Sequence, residues 1–472
     1  MSDEQRDAIL DSVRYLRNVR PIDPDEIQEY VAQRPHPGVV KQTIRESAVE
    51  LGLRERDDGT FVPASEGPLD ATVDQVEAFP ERYARVLENL LVGEFGAGWP
   101  DGESGEQLRS RIRSIKESYL QGADVAYDRV TALAYGIYHL PDYYAVGQYA
   151  LEPLLAADRL PTQLRVLDVG AGVGGPGLGI IDLVCEGGGI VDYHAVEPSD
   201  AADVLSELLD ETGRNAHTTI HRERAEDFDP AGTFDLIIFS NVLDELDSPA
   251  AVLRTYADAL ESDGSILGLS PADKRTATGL RTIERAVEDT YTIYAPTVRL
   301  WPGETPAGKC WSFDRKPDLA VPPFQERLED ACDDPDHDDG EFENADVQYA
   351  YSILRKDDAT AIEYTPDASR VMKMADADGY VTDRVDVVGI KLSPDLRSGP
   401  DANPLFLVGD GSEGTDHFAV LTRESTLNRD LVASQYGDLL SFENALALWN
   451  DDEGAYNLVV DAETVVDSVP VP

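Results

Sequence analysis

The chain has 472 residues, 42% of them apolar, which is enough for real cores over two to four domains and argues against wholesale disorder. Lys and Arg number 40 against 91 Asp and Glu, a net charge of 40 − 91 = −51, with the acid spread along the whole chain rather than gathered in an interaction tail. No apolar run approaches the roughly 18 residues of a membrane span, MSDEQRDAIL has no secretory pattern, and three widely spaced cysteines exclude a disulfide framework, so a cytoplasmic protein with no membrane partner is expected.

Acid distributed in this way suits a salt-rich cytoplasm of the haloarchaeal type. At about 1 M salt the Debye length is only about 3 Å, so self-repulsion is screened while hydrated carboxylates keep the chain soluble. The same screening removes most long-range repulsion of RNA. Binding then depends on local Arg contacts, stacking and shape, and the charge does not exclude an RNA partner.

In chain order, residues 1–65 form a small unit. DPDEIQEYVAQ (23–33) has helical apolar spacing with Asp23 or Asp25 at its cap, and PGVVKQTIRESAVELGL (37–53) is a second helix ending at Gly52. RERDDGTFVPA (54–64) reads as a hairpin turning at Asp58-Gly59. Helix, helix and β wing make a winged-helix pattern, used either for nucleic-acid contact or purely for protein contact. EGPLDAT (66–72) is a linker. Residues 73–157 form a helical cap, whose stretch 110–155 is rich in Tyr and carries Arg111, Arg113, Lys116 and Arg129. These tyrosines either pack the cap or touch substrate.

Residues 158–365 alternate strand and helix. The strands are RVLDV (165–169), IVDYHAV (190–196), FDLIIFS (234–240), SILGLS (265–270) and YAYSILRK (349–356). Helices 200–213 and 248–262 lie between them, and the acidic stretch 332–344 reads as a solvated loop. This alternation predicts a parallel α/β sheet with ligands at the carboxyl ends of its strands. From residue 370 to 472 the pattern becomes short strands (384–392, 403–411, 416–423, 455–462) between Gly, Pro and Asp turns, a small β-rich domain.

The first strand runs into VLDVGAGVGGPGLGIIDL (166–183). Gly170, Gly172 and Gly175 fit the dinucleotide fingerprint G-x-G-x-x-G. Asp168 with Gly170, Gly172 and Gly174 fits the D-x-G-x-G turn of S-adenosylmethionine sites. Such glycines let a backbone approach its ligand and turn into a helix. Asp168 and the acids that follow it together favour S-adenosylmethionine. A pyrophosphate sits over a helix N-terminus and gains nothing from a nearby anion, whereas a sulfonium and an ammonium are attracted to one. Glu197 follows the next strand, where an acid can accept ribose hydroxyls. Glu226 and Asp227 precede the fourth strand, where an acid can meet an adenine amino group. Ser240 and Asn241 follow that strand, at the place of the reactive methyl. The order of these parts predicts an α/β fold: a class I S-adenosylmethionine-dependent methyltransferase (Rossmann-like) core, with an N-terminal helical, winged-helix region and a small C-terminal β-rich domain.

The loop SNVLDEL lacks the Asn-Pro-Pro-aromatic motif of base N-methyltransferases, and there is no Pro-Cys nucleophile. Asp244 or Glu245 could act as a base or simply cap a helix. The sequence assigns no catalytic residue and no metal ligand.

The runs AYGIYHLPDYYAVGQYALEPLL, LRVLDVGAGVGGPGLG and FDLIIFSNVLDEL resemble the methyltransferase-like small-ribosomal-subunit assembly factors of mitochondria and archaea. IYAPTVRLWPGETPAGKCWSF (293–313) is similar to that family's Ala-Pro-Cys and Cys-x-Ser-Phe region. VQYAYSILRKD (347–357) and YGDL (436–439) resemble its later strands, so the likeness spans residues 120–460. It implies a methyltransferase fold that binds small-subunit rRNA, as an rRNA methyltransferase or a subunit maturation factor. A non-catalytic assembly factor and a small-molecule methyltransferase are the alternatives. The family's cysteines suit an iron–sulfur cluster, which usually takes four thiolates. Here Thr297 follows Ala-Pro and only Cys310 stands in that region, so a cluster is not expected and Cys310 is expected to be a buried thiol.

Overall fold

A computed structural model describes the chain except residues 123, 124, 336, 471 and 472. Parts of the expected helical cap, acidic loop and C-terminal domain therefore lie outside the described residues. The chain divides into two compact units, Met1–Ile237 with Asp318–Ala345, and Ile238–Pro317 with the chain from Asp346 onward.

The first unit begins with α1 (Asp3–Leu16), α2 (Pro24–Tyr30), α3 (Pro37–Glu46) and α4 (Ala48–Leu51), followed by the hairpin β1 (Leu53–Glu55) and β2 (Phe61–Pro63). Its core is built from Ile9, Val13, Ile27, Val40, Ile44, Leu53 and Phe61. The expected single helix over 37–53 breaks at Ser47 into α3 and α4, and Gly52 ends α4 in a left-handed conformation (φ 60°). The α3 cations face inward to the wing: Lys41 (2.9 Å) and Arg45 (2.7 Å) both hold the buried Glu55 carboxylate. The helix that a winged-helix protein would offer to nucleic acid thus has these two charges engaged within its own chain.

Next come α5 (Glu81–Phe95), α6 (Gly102–Gln121), α7 (Arg129–Tyr149) and α8 (Glu152–Ala156). Pro141 lies inside α7 and has no N–H to give the carbonyl of Ile137. The buried Gln325 side chain supplies that hydrogen bond (Nε2 to Ile137 O, 2.7 Å), and Asn344 Nδ2 donates to Tyr138 O at 3.0 Å.

The strand–helix alternation follows: β3 (Gln163–Val169), α9 (Gly175–Glu186), β4 (Ile190–Val196), α10 (Ala201–Leu209), β5 (Ala216–His221), β6 (Phe234–Ser240), α11 (Pro249–Thr255), β7 (Leu260–Pro271), α12 (Lys274–Ala286), β8 (Thr292–Ala295), β9 (Asp314–Lys316), α13 (Pro323–Asp330) and β10 (Val347–Arg355). The strand order is β5-β4-β3-β6-β7-β10-β8, with β9 beside β10. Strands β3, β4 and β5 run parallel, while β10 is antiparallel to β7 and β8. The boundary between the two units falls within β6.

Three glycines let α7 lie close against α9. A Cβ on Gly147 would meet Pro176 O at 2.4 Å, one on Gly179 would meet Tyr144 O at 2.1 Å, and one on Gly175 would meet Tyr143 Cβ at 2.8 Å.

The second unit ends in β11 (Arg384–Lys391), β12 (Leu405–Gly409), β13 (His417–Leu421), α14 (Asp430–Ala433), β14 (Leu439–Asn450), β15 (Ala455–Val460) and β16 (Val465–Ser468). The order β11-β12-β13-β15-β14 closes because β14 also pairs with β11, giving a five-stranded barrel with β16 beside β14. Val387, Phe406, Ala419, Phe442 and Leu458 fill its interior. Its outer face is not bare: Val388, Ile390, Leu392 and Leu407 pack against Val298, Leu300, Trp301 and Cys310.

Candidate functional site

The sequence element that makes the site is the turn between β3 and α9. Gly170, Gly172 and Gly174 all have positive φ (73°, 54° and 89°), the left-handed region that favours glycine. The turn is tied to the end of β4, with Gly170 N–H donating to Val196 O at 2.8 Å and Ala171 N–H to the same oxygen at 3.2 Å. A Cβ on Gly172 would meet nothing within 4 Å, so open space lies in front of this glycine. Gly174 caps α9.

Two acids converge on this turn. Asp168 is fully buried at the end of β3, and its Oδ2 accepts the Tyr193 hydroxyl at 2.7 Å. Its Oδ1 is buried and accepts no hydrogen bond. Burial, with Glu197 adding repulsion against the Tyr193 hydrogen bond, pushes the Asp168 carboxyl up to about 7. Glu197 is 7% exposed. Its Oε2 accepts Gly172 N–H and its Oε1 accepts Ser199 N–H, both at 2.9 Å.

The other expected site residues are placed differently. Glu226 and Asp227 lie on an exposed turn after β5, and Glu226 faces Arg224 at 3.6 Å. Ser240 ends β6, and Asn241 follows it with φ 57° and its N–H on Leu269 O at 3.0 Å. These two belong to the second unit. Asp244 and Glu245 do not cap a helix: they sit in an exposed turn ahead of α11, and Asp244 is held by Arg275 at 3.1 Å.

Sequence reasoning did not single out Tyr193, because a Tyr inside an apolar strand reads as core. The alternation of β4 was the available signal, since residue 193 pairs with residue 166 and stands beside the strand that carries Asp168. It also missed a pair on α7. His139 Nδ1 lies 3.5 Å from the buried Asp142 Oδ2, among the rings of Tyr119, Tyr135, Tyr138 and Tyr143.

Cys310 is a buried thiol, its N–H on Asp416 Oδ1 at 2.8 Å, and burial raises its pKa to about 12. Among the described residues no group of three or more His, Cys, Asp or Glu is placed to hold a metal ion, and no helix is long and apolar enough to cross a membrane.

The residues at the turn fit S-adenosylmethionine. The unpartnered Asp168 oxygen suits a cation, the open face of Gly172 leaves room for a ligand, and Glu197 offers acceptors to a nucleoside.

Comparison with known proteins agrees with the core. A methyltransferase domain model matches residues 142–320. The N-terminal and C-terminal domain models of a domain of unknown function, DUF8157, match residues 6–57 and 375–469. No curated protein matches. Similar solved structures include the N-methyltransferase NodS of Bradyrhizobium japonicum WM9 in complex with S-adenosyl-L-homocysteine (12% identity, 52% of this chain and 98% of that one, TM-score 0.31). A putative methyltransferase of Thermoplasma acidophilum is another (11% identity, 42% and 70%, TM-score 0.28). The strand order and the domain match define the core as a class I S-adenosylmethionine-dependent methyltransferase fold, with a helical N-terminus and a C-terminal β-barrel domain.

Proposed function

We propose that this chain is an S-adenosylmethionine-dependent methyltransferase of the small ribosomal subunit, acting in rRNA methylation or subunit maturation in a cytoplasm of high salt. The observation that carries the cofactor half is the pairing of an open glycine turn with a buried, unpartnered Asp168 oxygen. Bound S-adenosylmethionine supplies an electrophilic methyl on sulfonium. Asp168 and the backbone of Gly170, Gly172 and Gly174 would hold its amino-acid end, Glu197 its ribose hydroxyls, and Glu226 or Asp227 its adenine. Ionised Asp168 orients the cation, and Tyr193 fixes the rotamer of that carboxylate.

The ribosomal half rests on the family resemblance of the sequence. A second reading, a non-catalytic assembly factor with the same fold, is favoured by the engagement of Asp244 with Arg275, which leaves that acid paired rather than poised as a base. Calorimetric titration with S-adenosylmethionine in molar KCl tests the site, and preference for NAD would overturn it. Mass spectrometry of small-subunit rRNA from a deletion strain tests the activity. Loss of a methyl mark supports the enzyme. Immature subunits with every mark intact support the assembly factor, and normal ribosomes in both respects support a small-molecule acceptor.

A further inference from the structure

The pair His139–Asp142 has no part in the cofactor turn, but it lies on the helix that packs against it. Gly175, the first residue of α9, is where α7 makes its close approach. A Cβ there would lie 2.8 Å from Tyr143 Cβ and 3.5 Å from Leu140 O. Leu140 and Tyr143 therefore lie against the residue that follows the glycine turn, and His139 and Asp142 are their chain neighbours.

This turn of α7 is built for something other than plain packing. Pro141 leaves Ile137 O without its helical donor, and Gln325 and Asn344 donate to Ile137 O and Tyr138 O. Asp142 is 7% exposed, and its Oδ1 is buried without a hydrogen-bond partner. Its Oδ2 faces His139 Nδ1 (3.5 Å), with Asn344 Nδ2 also 3.5 Å from that nitrogen. These two neighbours orient the ring through Nδ1 and leave Nε2 for another group. The rings of Tyr135 and Tyr138 stand 5.0 and 4.9 Å from the imidazole, and that of Tyr119 stands 6.1 Å away. His139 (17% of its side chain exposed), Tyr119, Tyr135 and Tyr138 are partly buried, so that one edge of this ring cluster reaches solvent. Alongside run the cations of α6, with Lys116 Nζ 4.1 Å over the Tyr138 ring and Arg113 paired to Glu341.

We propose that this face of α7 is a nucleobase pocket: an unpaired base is taken up among Tyr119, Tyr135 and Tyr138, with its hydrogen-bonding edge on His139 and Asp142 holding the imidazole. Aromatic rings recognise single-stranded RNA by stacking, and a fixed imidazole reads a base edge. The close approach of α7 to the start of α9 makes this face the site of the methyl acceptor. That role rests on the methyltransferase reading; base binding does not.

The test uses the full-length protein in molar KCl and 2-aminopurine ribonucleoside, whose fluorescence is quenched on stacking. The expected result is saturable quenching by the wild type, weakened about tenfold or more by His139→Ala and by Tyr135→Ala. Both variants are expected to bind S-adenosyl-L-homocysteine as the wild type does, which also reports their folding. In wild-type protein labelled with 15N-histidine, the His139 ring signals are expected to shift over the same probe range. Should the variants not fold, that shift decides alone, and its absence overturns the proposal. Quenching unaltered by both substitutions overturns it as well, and displacement by indole as effective as by adenosine overturns the nucleobase assignment. A wild type that binds the probe but not S-adenosyl-L-homocysteine sinks the cofactor reading and leaves the pocket standing. The reverse sinks the pocket alone.

Discussion

Tyr193 on β4 donates its hydroxyl to Asp168 on β3 across 2.7 Å, and the other oxygen of that carboxylate accepts no hydrogen bond. The acid at the head of the glycine turn is thus held in one rotamer, out of water, with half of its accepting capacity unused. Burial is the largest cause of its raised pKa, about 7. In the unfolded chain an Asp titrates near pH 3.9, so between about pH 4 and 7 the folded state binds the extra proton. The contribution of this group to stability is complete below pH 4 and is lost as pH rises through 7.

Cofactor binding runs in the opposite direction, because only the ionised carboxylate attracts a cation. Affinity for S-adenosylmethionine is expected to rise from pH 6 to pH 8. Asp168→Asn is expected to lower affinity about tenfold or more at pH 8, to abolish that rise and to raise the melting temperature relative to wild type as pH increases. Calorimetric titrations and melting curves across this range check it. An unchanged pH profile in the variant counts against the assignment.

Gly147→Ala puts a methyl 2.4 Å from Pro176 O and 2.7 Å from Pro176 Cα, so α9 must move as a body. The expected cost is about 1–3 kcal/mol, read as a lower denaturant midpoint and weaker cofactor binding, because α9 carries the turn. Gly279→Ala in α12 is the control. A Cβ there meets nothing within 4 Å, and losing a helical glycine is expected to stabilise by about 0.5–1 kcal/mol.

In the second unit the fully buried Arg281 and Glu284 are bonded at 2.8 Å. Glu284 also accepts Ser352 Oγ at 2.9 Å and the Thr297 hydroxyl, and Arg281 also donates to Tyr351 O. Arg281→Met leaves the buried Glu284 carboxylate with only the more distant Arg299 (4.0 Å), at an expected cost of about 3–5 kcal/mol. Arg281→Met combined with Glu284→Met is expected to cost much less than the sum of the single changes. Urea unfolding of the four proteins of this cycle measures it, and strict additivity would show that the pair does not act as a unit.

The net charge of −51 predicts a salt response. The melting temperature is expected to climb between dilute buffer and molar KCl as repulsion is screened. A melting temperature indifferent to salt would remove the basis for reading the acid excess as adaptation to high salt.

Much of the core was legible because its signals are local. The branched apolar runs of β3, β4 and β6 read directly as strands, and the glycines after β3 read as a turn from their spacing. The edge strand β5, AHTTIH, was not legible, since an edge strand half open to solvent lacks the apolar run that marks its neighbours. SPAAVLRTYADALES was read as one helix, yet α11 ends at Thr255 and β7 begins at Leu260, because the sheet takes up residues that helical periodicity would have kept. The sequence left Asp244 as either a base or a helix cap, because its partner Arg275 stands thirty-one residues away.

By itself the sequence determined the charge, the order of strands and helices around the glycine turn, and the acids at the ends of its first two strands. Those follow from composition and from periods of a few residues. Only the tertiary structure decided that Asp168 is dry and bonded to Tyr193, that β14 returns to β11 and closes the barrel, and that Pro141, Gln325, Asn344, His139 and Asp142 meet at one turn of α7. Burial, long-range pairing and the state of a carboxylate depend on what the rest of the chain brings to a residue, and no local pattern carries that information.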